Sequence, residues 1–303
     1  MSSPSAPVSR TTAWVLLAST IVIGAFTLTM VKVALDELSA LGLATGRVVV
    51  SAAMFAIVVS INRRRRAKSG PVAPVERRPG DRIRILCIGL AGSAGFHLIA
   101  SWGMQHVSIA VSAVVMATMP ALTAAGEVVF LRHRLSVPQT SGVVLSIVGC
   151  SVIGLASGSD GETTWMGIGA IAIGTVLWAG VTVTTRGIGD RYDSWWINTP
   201  GTLLGAAIVL AIDAPHLNEF AHLSWKGWLL VLWLGSASSA YYYFAMAKAM
   251  TAISATTAAA LSTVVTPTSI VVGWMLLGDA PSLVEVVGGA VVIGGALLVV
   301  RDS

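Results

Sequence analysis

Long apolar runs separated by short polar segments occupy almost the whole of this chain. Each run is close to the roughly 20 residues that a helix needs to cross the hydrocarbon of a bilayer. The runs do not alternate in polarity as the strands of a membrane barrel do, and they are rich in Gly, Ala and Ser, as is typical of closely packed membrane helices. The pattern predicts ten membrane-spanning helices, at 13–33, 39–61, 83–103, 108–131, 138–157, 165–186, 195–213, 227–248, 253–277 and 282–300.

One stretch of the chain recurs, in order, nearer the C-terminus. The same or similar residues are found at an offset of 146 or 147: Val107-Ser108 with Ile253-Ser254, Pro120 with Pro267, Ser136 with Ser282, Gly142 with Gly288, and Gly149 with Gly295. Five spans in each copy would insert the second copy upside down relative to the first. The predicted fold is therefore an all-α polytopic membrane protein of two inverted five-helix repeats, 12–157 and 165–301, joined by an extracytoplasmic linker at 158–164.

Composition and charge agree with this assignment. Hydrophobic residues make up 55% of the chain and charged residues 11%, whereas about a quarter of the residues of a soluble domain are charged. Because cytoplasmic loops of membrane proteins are enriched in Lys and Arg, the charges also predict the orientation. With a cytoplasmic N-terminus, all of the 19 basic residues except Lys32, Arg47 and Lys226 fall on cytoplasmic segments. Both termini, the tail at 1–11 and the Arg- and Pro-rich loop at 62–82 are predicted to be cytoplasmic.

Several classes of function are disfavoured by the sequence. The net charge of +5 reflects membrane topology, so no nucleic-acid partner is expected. No Gly-x-x-x-x-Gly-Lys-Ser/Thr loop, His-Glu-x-x-His or Gly-x-Ser-x-Gly motif occurs, so we expect no ATP-driven step, no enzymatic activity, no cofactor and no metal. Two inverted halves suit alternating access to a ligand held where they meet. The expected partners are a small-molecule substrate and the lipid bilayer, and ten spans suffice for a monomer to enclose a cavity.

The repeated motif resembles that of a known family, the EamA branch of the drug/metabolite transporter superfamily, over roughly 12–301. The resemblance is carried by Trp178, Ala249-Met250, Ile253-Ser254, Pro120 and Pro267, Leu277-Gly278-Asp279 and Gly288. It implies a multi-pass transporter of the bacterial inner membrane, and the branch includes exporters of aromatic and other amino acids. The chain departs from the family pattern at 131–136, where Leu-Gly-Glu-Arg-Leu-Ser is usual, and at Ile23, where Trp is usual.

Residues that could touch a substrate are suggested by the offset. Positions related by 146 residues near the middle of a span are expected to face a shared cavity, which pairs Phe96 with Tyr242 and His97 with Tyr243. His97 is either a cavity-lining group or a satisfied interhelical hydrogen bond, because an imidazole at mid-bilayer is otherwise costly. The predicted substrate site consists of His97, Trp102, Met116, Trp178, Tyr242, Tyr243, Thr27, Thr182 and Thr263, with helix kinks or gates at Pro120 and Pro267.

Other polar residues in the spans allow two interpretations. Thr27 and Thr182 either bond to carbonyls of their own helices or form a polar stripe along a pore. Glu127 either reaches the surface in an ion pair or takes part in proton coupling. Lys32 and Arg47 either pair with acidic residues, namely Asp36, Glu37 or Glu285, or attract an anionic group of the substrate.

The leading functional hypothesis is a secondary transporter that moves amino acids or similar small metabolites outward by alternating access. The alternative is a multidrug or dye efflux carrier of the same superfamily.

Overall fold

A computed structural model describes residues 9–67, 78–131, 136–157, 163–189, 191–192, 194–249, 252, 264–278 and 280–301. These residues form helices and no β-strand. The α-helices are α1 (Arg10–Ala34), α2 (Ala40–Ala67), α3 (Asp81–Gly89), α4 (Phe96–Met104), α5 (Ile109–Met116), α6 (Met119–Leu131), α7 (Val137–Ser157), α8 (Trp165–Gly189), α9 (Ser194–Asp213), α10 (Trp225–Gly235), α11 (Tyr242–Ala249), α12 (Val265–Leu277) and α13 (Leu283–Arg301). Two π-helical segments, π1 (Leu90–Gly95) and π2 (Ser236–Tyr241), and a 3-10 helix, Ala214–Ala221, complete the described chain.

The helices are those of a multi-pass membrane protein. In the described residues, seven helical stretches are long and apolar enough to cross a bilayer, and three shorter apolar helices lie at Val137–Gly149, Val265–Leu277 and Leu283–Gly295. Several predicted boundaries were wrong. Helix α2 continues through Ala67, into the loop predicted at 62–82. Three predicted spans are interrupted, at π1, at Ala117–Thr118 and at π2. Residues 1–8 of the predicted tail, 68–77 of the predicted loop, 158–162 of the predicted linker and 253–263 of the ninth predicted span lie outside the described residues.

The packing of the helices comes in matched pairs. Helices α2 and α9 pack along each other, α3 and π1 pack on α9, and α10 and π2 pack on α2. Helix α4 packs on α8 in the same way that α11 packs on α1, and α7 lies against α13. Each of these contacts therefore has a counterpart at the matching positions of the other copy.

Glycines allow the closest of these contacts. A Cβ atom added to Gly89 of α3 would lie 2.6 Å from the Cα atom of Gly201 in α9. On the matched contact, a Cβ atom added to Gly235 of α10 would lie 2.5 Å from the Cβ atom of Val50 in α2. Helix association in a bilayer depends on van der Waals packing, so small residues at such crossings fix how near the backbones come.

Two of the repeated serines begin helices in the same way. The backbone N–H of Ser136 donates to Gln139 Oε1 (3.0 Å), and that of Gln139 donates to Ser136 Oγ (3.3 Å). Ser282 and Glu285 form the same reciprocal pair at the start of α13, at 2.7 and 3.3 Å. This arrangement is a capping box, which satisfies backbone donors that have no partner within the helix. The recurrence of serine at an offset of 146 thus has a local physical cause.

Hydrogen bonds of two acidic side chains connect loops to the ends of helices. Near the start of α10, the N–H and hydroxyl of Ser224 donate to the Glu37 carboxylate at 2.9 and 2.7 Å. These hydrogen bonds are the main cause that holds the pKa of the exposed Glu37 carboxyl below its usual value. At the start of α3, Asp81 accepts from Arg191 at 2.9 Å and from the Tyr192 hydroxyl at 3.2 Å. Each of these two sets of hydrogen bonds joins a loop of one copy to the third span of the other.

The glycine crossing provides a test of the packing. Replacing Gly201→Ala should lower the apparent Tm of the purified protein, because the added methyl group would lie 2.7 Å from Gly89 Cα and overpacking costs about 1–3 kcal/mol. The matched control is Gly169→Ala in α8, where an added Cβ atom meets nothing within 4 Å. Equal Tm values for the two variants would contradict this packing.

Candidate functional site

The two π-helical segments lie at equivalent positions and place equivalent residues. Leu90–Gly95 and Ser236–Tyr241 are 146 residues apart, and each is followed directly by a short α-helix that begins with an aromatic residue. A π segment holds an extra residue in a helical turn and is frequent at functional sites. The residues immediately after the two segments are Phe96-His97 and Tyr242-Tyr243, which the offset predicted to be partners.

A hydrogen-bonded network forms around His97. The imidazole is 1% exposed, and its Nε2 atom lies 3.2 Å from the Tyr243 hydroxyl and 3.2 Å from Ser239 Oγ. The Ser239 hydroxyl donates to the Leu234 carbonyl at 2.9 Å, and the Tyr243 hydroxyl lies within 3.4 Å of the Gly92 carbonyl. The structure thus brings His97 and Tyr243 together across the two copies and adds Ser239 to them.

The tautomer of His97 follows from a count of donors. If Nε2 carries the proton, it donates to Ser239 or Tyr243, while their hydroxyl protons go to the carbonyls of Leu234 and Gly92. The three donors of the network, Nε2 and the two hydroxyls, then all have acceptors. The buried Nδ1 atom is left with a lone pair that has no partner among the described residues. A proton on Nδ1 would instead leave a buried N–H without an acceptor, which costs about 1–3 kcal/mol. The network therefore favours a neutral imidazole protonated at Nε2.

Aromatic rings border this network on one side. The Trp178 ring lies between Phe96, at a centroid distance of 5.3 Å, and Tyr243, at 4.8 Å. Tyr242 meets Tyr243 edge to face at 6.1 Å. Phe96, Trp178, Tyr242 and Tyr243 are all partly rather than fully buried, so each keeps some accessible surface. Such faces can hold an apolar or aromatic group, or a cation above the ring.

Arg47 lies on α2 where that helix crosses the end of α10, directly before the π2 segment that carries Ser239. Its side chain is 5% exposed, and its Nε atom has no partner among the described residues. The backbone around it is fixed, since Ser51 Oγ donates to the carbonyls of Arg47 and Gly235 at 2.7 and 2.9 Å. A buried guanidinium without a counter-ion is rare in a membrane protein and suggests a functional role.

The ion pairs that the sequence suggested for Lys32 and Arg47 are absent from the described residues. Lys32 Nζ donates instead to the carbonyls of Met104 and Val107, at 3.1 and 2.8 Å, at the end of α4. Two of the three acidic candidates have other partners, since Glu37 accepts from Ser224 and Glu285 accepts from Ser108. Backbone carbonyls at a helix end attract a cation as a carboxylate does, which explains the different outcome for Lys32.

The remaining predicted site residues are spread more widely. Trp102 stacks on His106 at 4.5 Å, towards the end of α4, and Met116 ends α5 against the core. The Thr182 hydroxyl donates to the Trp178 carbonyl of its own helix, and Thr27 donates to Ile23 while it contacts Ser238 at 2.9 Å. These bonds correspond to the intrahelical alternative for the threonines.

The two prolines lie at helix starts. Pro120 is the second residue of α6, just after the interruption at Ala117–Thr118, and Pro267 is in the first turn of α12. Proline is tolerated there because the N–H it lacks has no partner within the helix. Thr263 and the side chain of Glu127 lie outside the described residues.

The central groups are enclosed rather than open to a cavity. His97 and Ser239 are at most 1% exposed, and a surface concavity of about 330 Å³ on α2 is lined by other residues, namely Ala56, Ile57, Ser60, Ile61 and Arg64. Ser239 and Arg47 were missing from the predicted site. A signal existed for both, since Ser239 is 146 residues from Ser93, and Arg47 is one of three basic residues away from the cytoplasmic segments.

Membrane-spanning helices that surround a buried polar network define a polytopic membrane protein. The chain belongs to the EamA-like transporter family, whose model matches residues 11–155 and 165–301, so the resemblance seen in the sequence is confirmed.

Individual proteins similar to this chain have low sequence identity to it. A probable terminal-alkyne amino-acid exporter of Streptantibioticus cattleyicolor is 25% identical over 95% of this chain and 93% of its own length. An uncharacterized transporter of Archaeoglobus fulgidus is 22% identical over 95% and 98%. A crystal structure that is 17% identical matches 96% of both chains with a TM-score of 0.63, so the two share a fold.

Proposed function

We propose that this protein is a secondary transporter that exports amino acids, including aromatic and hydrophobic ones, across the bacterial inner membrane by alternating access. The observation that carries the proposal is the hydrogen bond between His97 and Tyr243, at equivalent positions 146 residues apart, beside the ring of Trp178. An amphipathic substrate needs a few polar groups beside an apolar surface, and this combination is present there. The relative named as a probable amino-acid exporter supports the same substrate class.

The proposal includes ten spans in two inverted halves, with both termini cytoplasmic. Seven long and three shorter apolar helices in the described residues are consistent with this number. The matched contacts of α3 with α9 and α10 with α2, and the π segments at the same offset, support two equivalent halves. The distribution of Lys and Arg supports the orientation.

In alternating access, two states of similar energy expose the site to opposite sides, and the substrate binds where the halves meet. The His97–Tyr243 bond joins α4 to α11, so it lies between the halves. Because the network is enclosed in this conformation, the helices around it must separate on one side before a substrate can enter.

Efflux of planar cationic drugs or dyes is the second candidate. The observation that favours it is the cluster of tilted rings of Phe96, Trp178 and Tyr243, whose faces suit a delocalised cation as well as an aromatic side chain.

Counterflow in proteoliposomes separates the two candidates. Vesicles loaded with unlabelled amino acid should accumulate labelled phenylalanine, tyrosine or leucine, because a carrier exchanges substrate without net flux. Empty liposomes serve as the control. Movement of a cationic dye without exchange of any amino acid would refute amino-acid export in favour of the second candidate.

The network provides a residue-level test. His97→Ala and Tyr243→Phe should each lower the exchange rate roughly tenfold, as expected for the loss of an interaction worth about 1.4 kcal/mol, while the amount of folded protein is unchanged. Matched controls are His216→Ala on the exposed 3-10 helix and Tyr241→Phe, whose hydroxyl contacts Ser19 at 2.9 Å outside the network. Parental rates in both test variants would show that the site lies elsewhere.

The orientation can be tested by labelling. In a background lacking Cys87 and Cys150, Asn218→Cys should react with an impermeant maleimide in intact spheroplasts, whereas Arg82→Cys should react only after permeabilisation. Both positions are exposed, so access to the reagent decides the outcome. The reverse pattern would contradict cytoplasmic termini.

A further inference from the structure

Two buried polar groups of opposite character lack partners at the centre of the network. Among the described residues, nothing accepts a hydrogen bond from Arg47 Nε, and nothing donates to His97 Nδ1. Both side chains are at least nine-tenths buried, and Arg47 lies on α2 beside Gly235, directly before the π2 segment whose Ser239 contacts His97. A buried polar atom without a partner costs free energy, and a buried unpaired charge costs more, so a site that keeps both is prepared for a ligand that satisfies them.

The chemistry of the two groups identifies that ligand. A guanidinium binds a carboxylate through parallel N–H donors, whereas an unprotonated imidazole nitrogen accepts a hydrogen bond from an ammonium group. We propose that Arg47 binds the α-carboxylate, and His97 Nδ1 the α-ammonium group, of a zwitterionic amino acid. This inference rests on the proposed function and deepens it by assigning the groups that recognise the amino-acid backbone.

The charge of the site favours a single carboxylate over a more highly charged anion. Arg47 contributes one positive charge, and the neighbours that contact His97, namely Ser239 and Tyr243, are hydroxyls. One carboxylate pairs with this guanidinium, and the ammonium group of the same zwitterion is stabilised by Nδ1 and the ring faces. A phosphate dianion would instead leave a buried negative charge without a partner, which is costly in a bilayer.

The neighbouring rings account for the rest of the substrate. The accessible faces of Phe96, Trp178 and Tyr243 lie beside His97, where they can contact an apolar or aromatic side chain. A ring face also attracts an ammonium group and would support the hydrogen bond to Nδ1. The backbone of the amino acid is thus recognised by two fixed polar groups, and its side chain by a surface that tolerates variation.

The test compares three compounds that share one ring. Phenylalanine has both charged groups, 3-phenylpropionate lacks the ammonium group, and phenethylamine lacks the carboxylate. Transport of labelled phenylalanine and its inhibition by each of the other two are measured with the parent protein, Arg47→Gln and Arg47→Lys in proteoliposomes. The control is Lys32→Gln, which removes a cation bonded to carbonyls at the end of α4.

We expect Arg47→Gln to weaken the binding of phenylalanine and of 3-phenylpropionate by roughly 10- to 100-fold, the loss typical of a charge-assisted hydrogen bond, and to spare phenethylamine. Arg47→Lys should retain part of the affinity, because it keeps the charge but not the paired donors. Lys32→Gln should affect all three compounds equally. If Arg47→Gln weakens all three equally or none, the assignment of Arg47 is wrong, even when the parent exports amino acids.

Binding and exchange measured with the parent protein distinguish failure of the proposed amino-acid export from failure of the Arg47 assignment. If it binds 3-phenylpropionate but exchanges no amino acid, and Arg47→Gln abolishes that binding, amino-acid export is refuted while the carboxylate site stands. If it binds phenethylamine or dyes and no carboxylate, both are refuted.

If a variant loses all transport, its apparent Tm with and without ligand still tests the assignment of Arg47. Without ligand, Arg47→Met should have an unchanged or higher apparent Tm than the parent, because an unpaired buried charge is replaced by an apolar side chain of similar length. Phenylalanine should raise the Tm of the parent and not that of Arg47→Met. A large fall in the Tm of ligand-free Arg47→Met would show that Arg47 is needed for folding and would overturn the assignment.

Discussion

Hydrocarbon offers no hydrogen-bond partner, so the polar groups of this protein must find theirs within the chain or leave them to a ligand. Most of them find one locally. Thr20 of α1 and Thr175 of α8 bond to carbonyls one turn back. Ser93 of π1 and Ser239 of π2 bond to the carbonyls of Gly89 and Leu234, just before their segments. Other side chains bond from one copy of the repeat to the other, as Thr27 does to Ser238 and Ser19 to Tyr241. Around His97, such bonds join α4 to π2 and α11.

The sequence predicted a large part of this arrangement, because a repeat in a membrane protein carries long-range information. The offset of 146 paired His97 with Tyr243, which no local pattern relates, and hydropathy predicted most of the helices. It could not predict π1 and π2, since runs of small residues are compatible with α and π turns alike. Trp102 was predicted as a residue of the substrate site, and its ring contacts His106 towards the end of α4.

Arg47 illustrates what a sequence cannot decide by itself. Its isolation from the cytoplasmic basic residues was visible, but two interpretations were open, an ion pair or an anion site. The choice depends on whether a carboxylate lies within reach, which is a property of the packing. Because Glu37 and Glu285 are engaged at helix starts by Ser224, Ser108 and Ser282, they neutralise no cation in the span.

Each π segment is equivalent to one residue inserted into a continuous α-helix. The insertion rotates everything that follows it by roughly 100°, so the third span presents one face to α9 before π1 and another to α8 after it. Both copies contain this extra residue at the same register. Phe96-His97 and Tyr242-Tyr243 are therefore turned by the same angle relative to the helices that precede them.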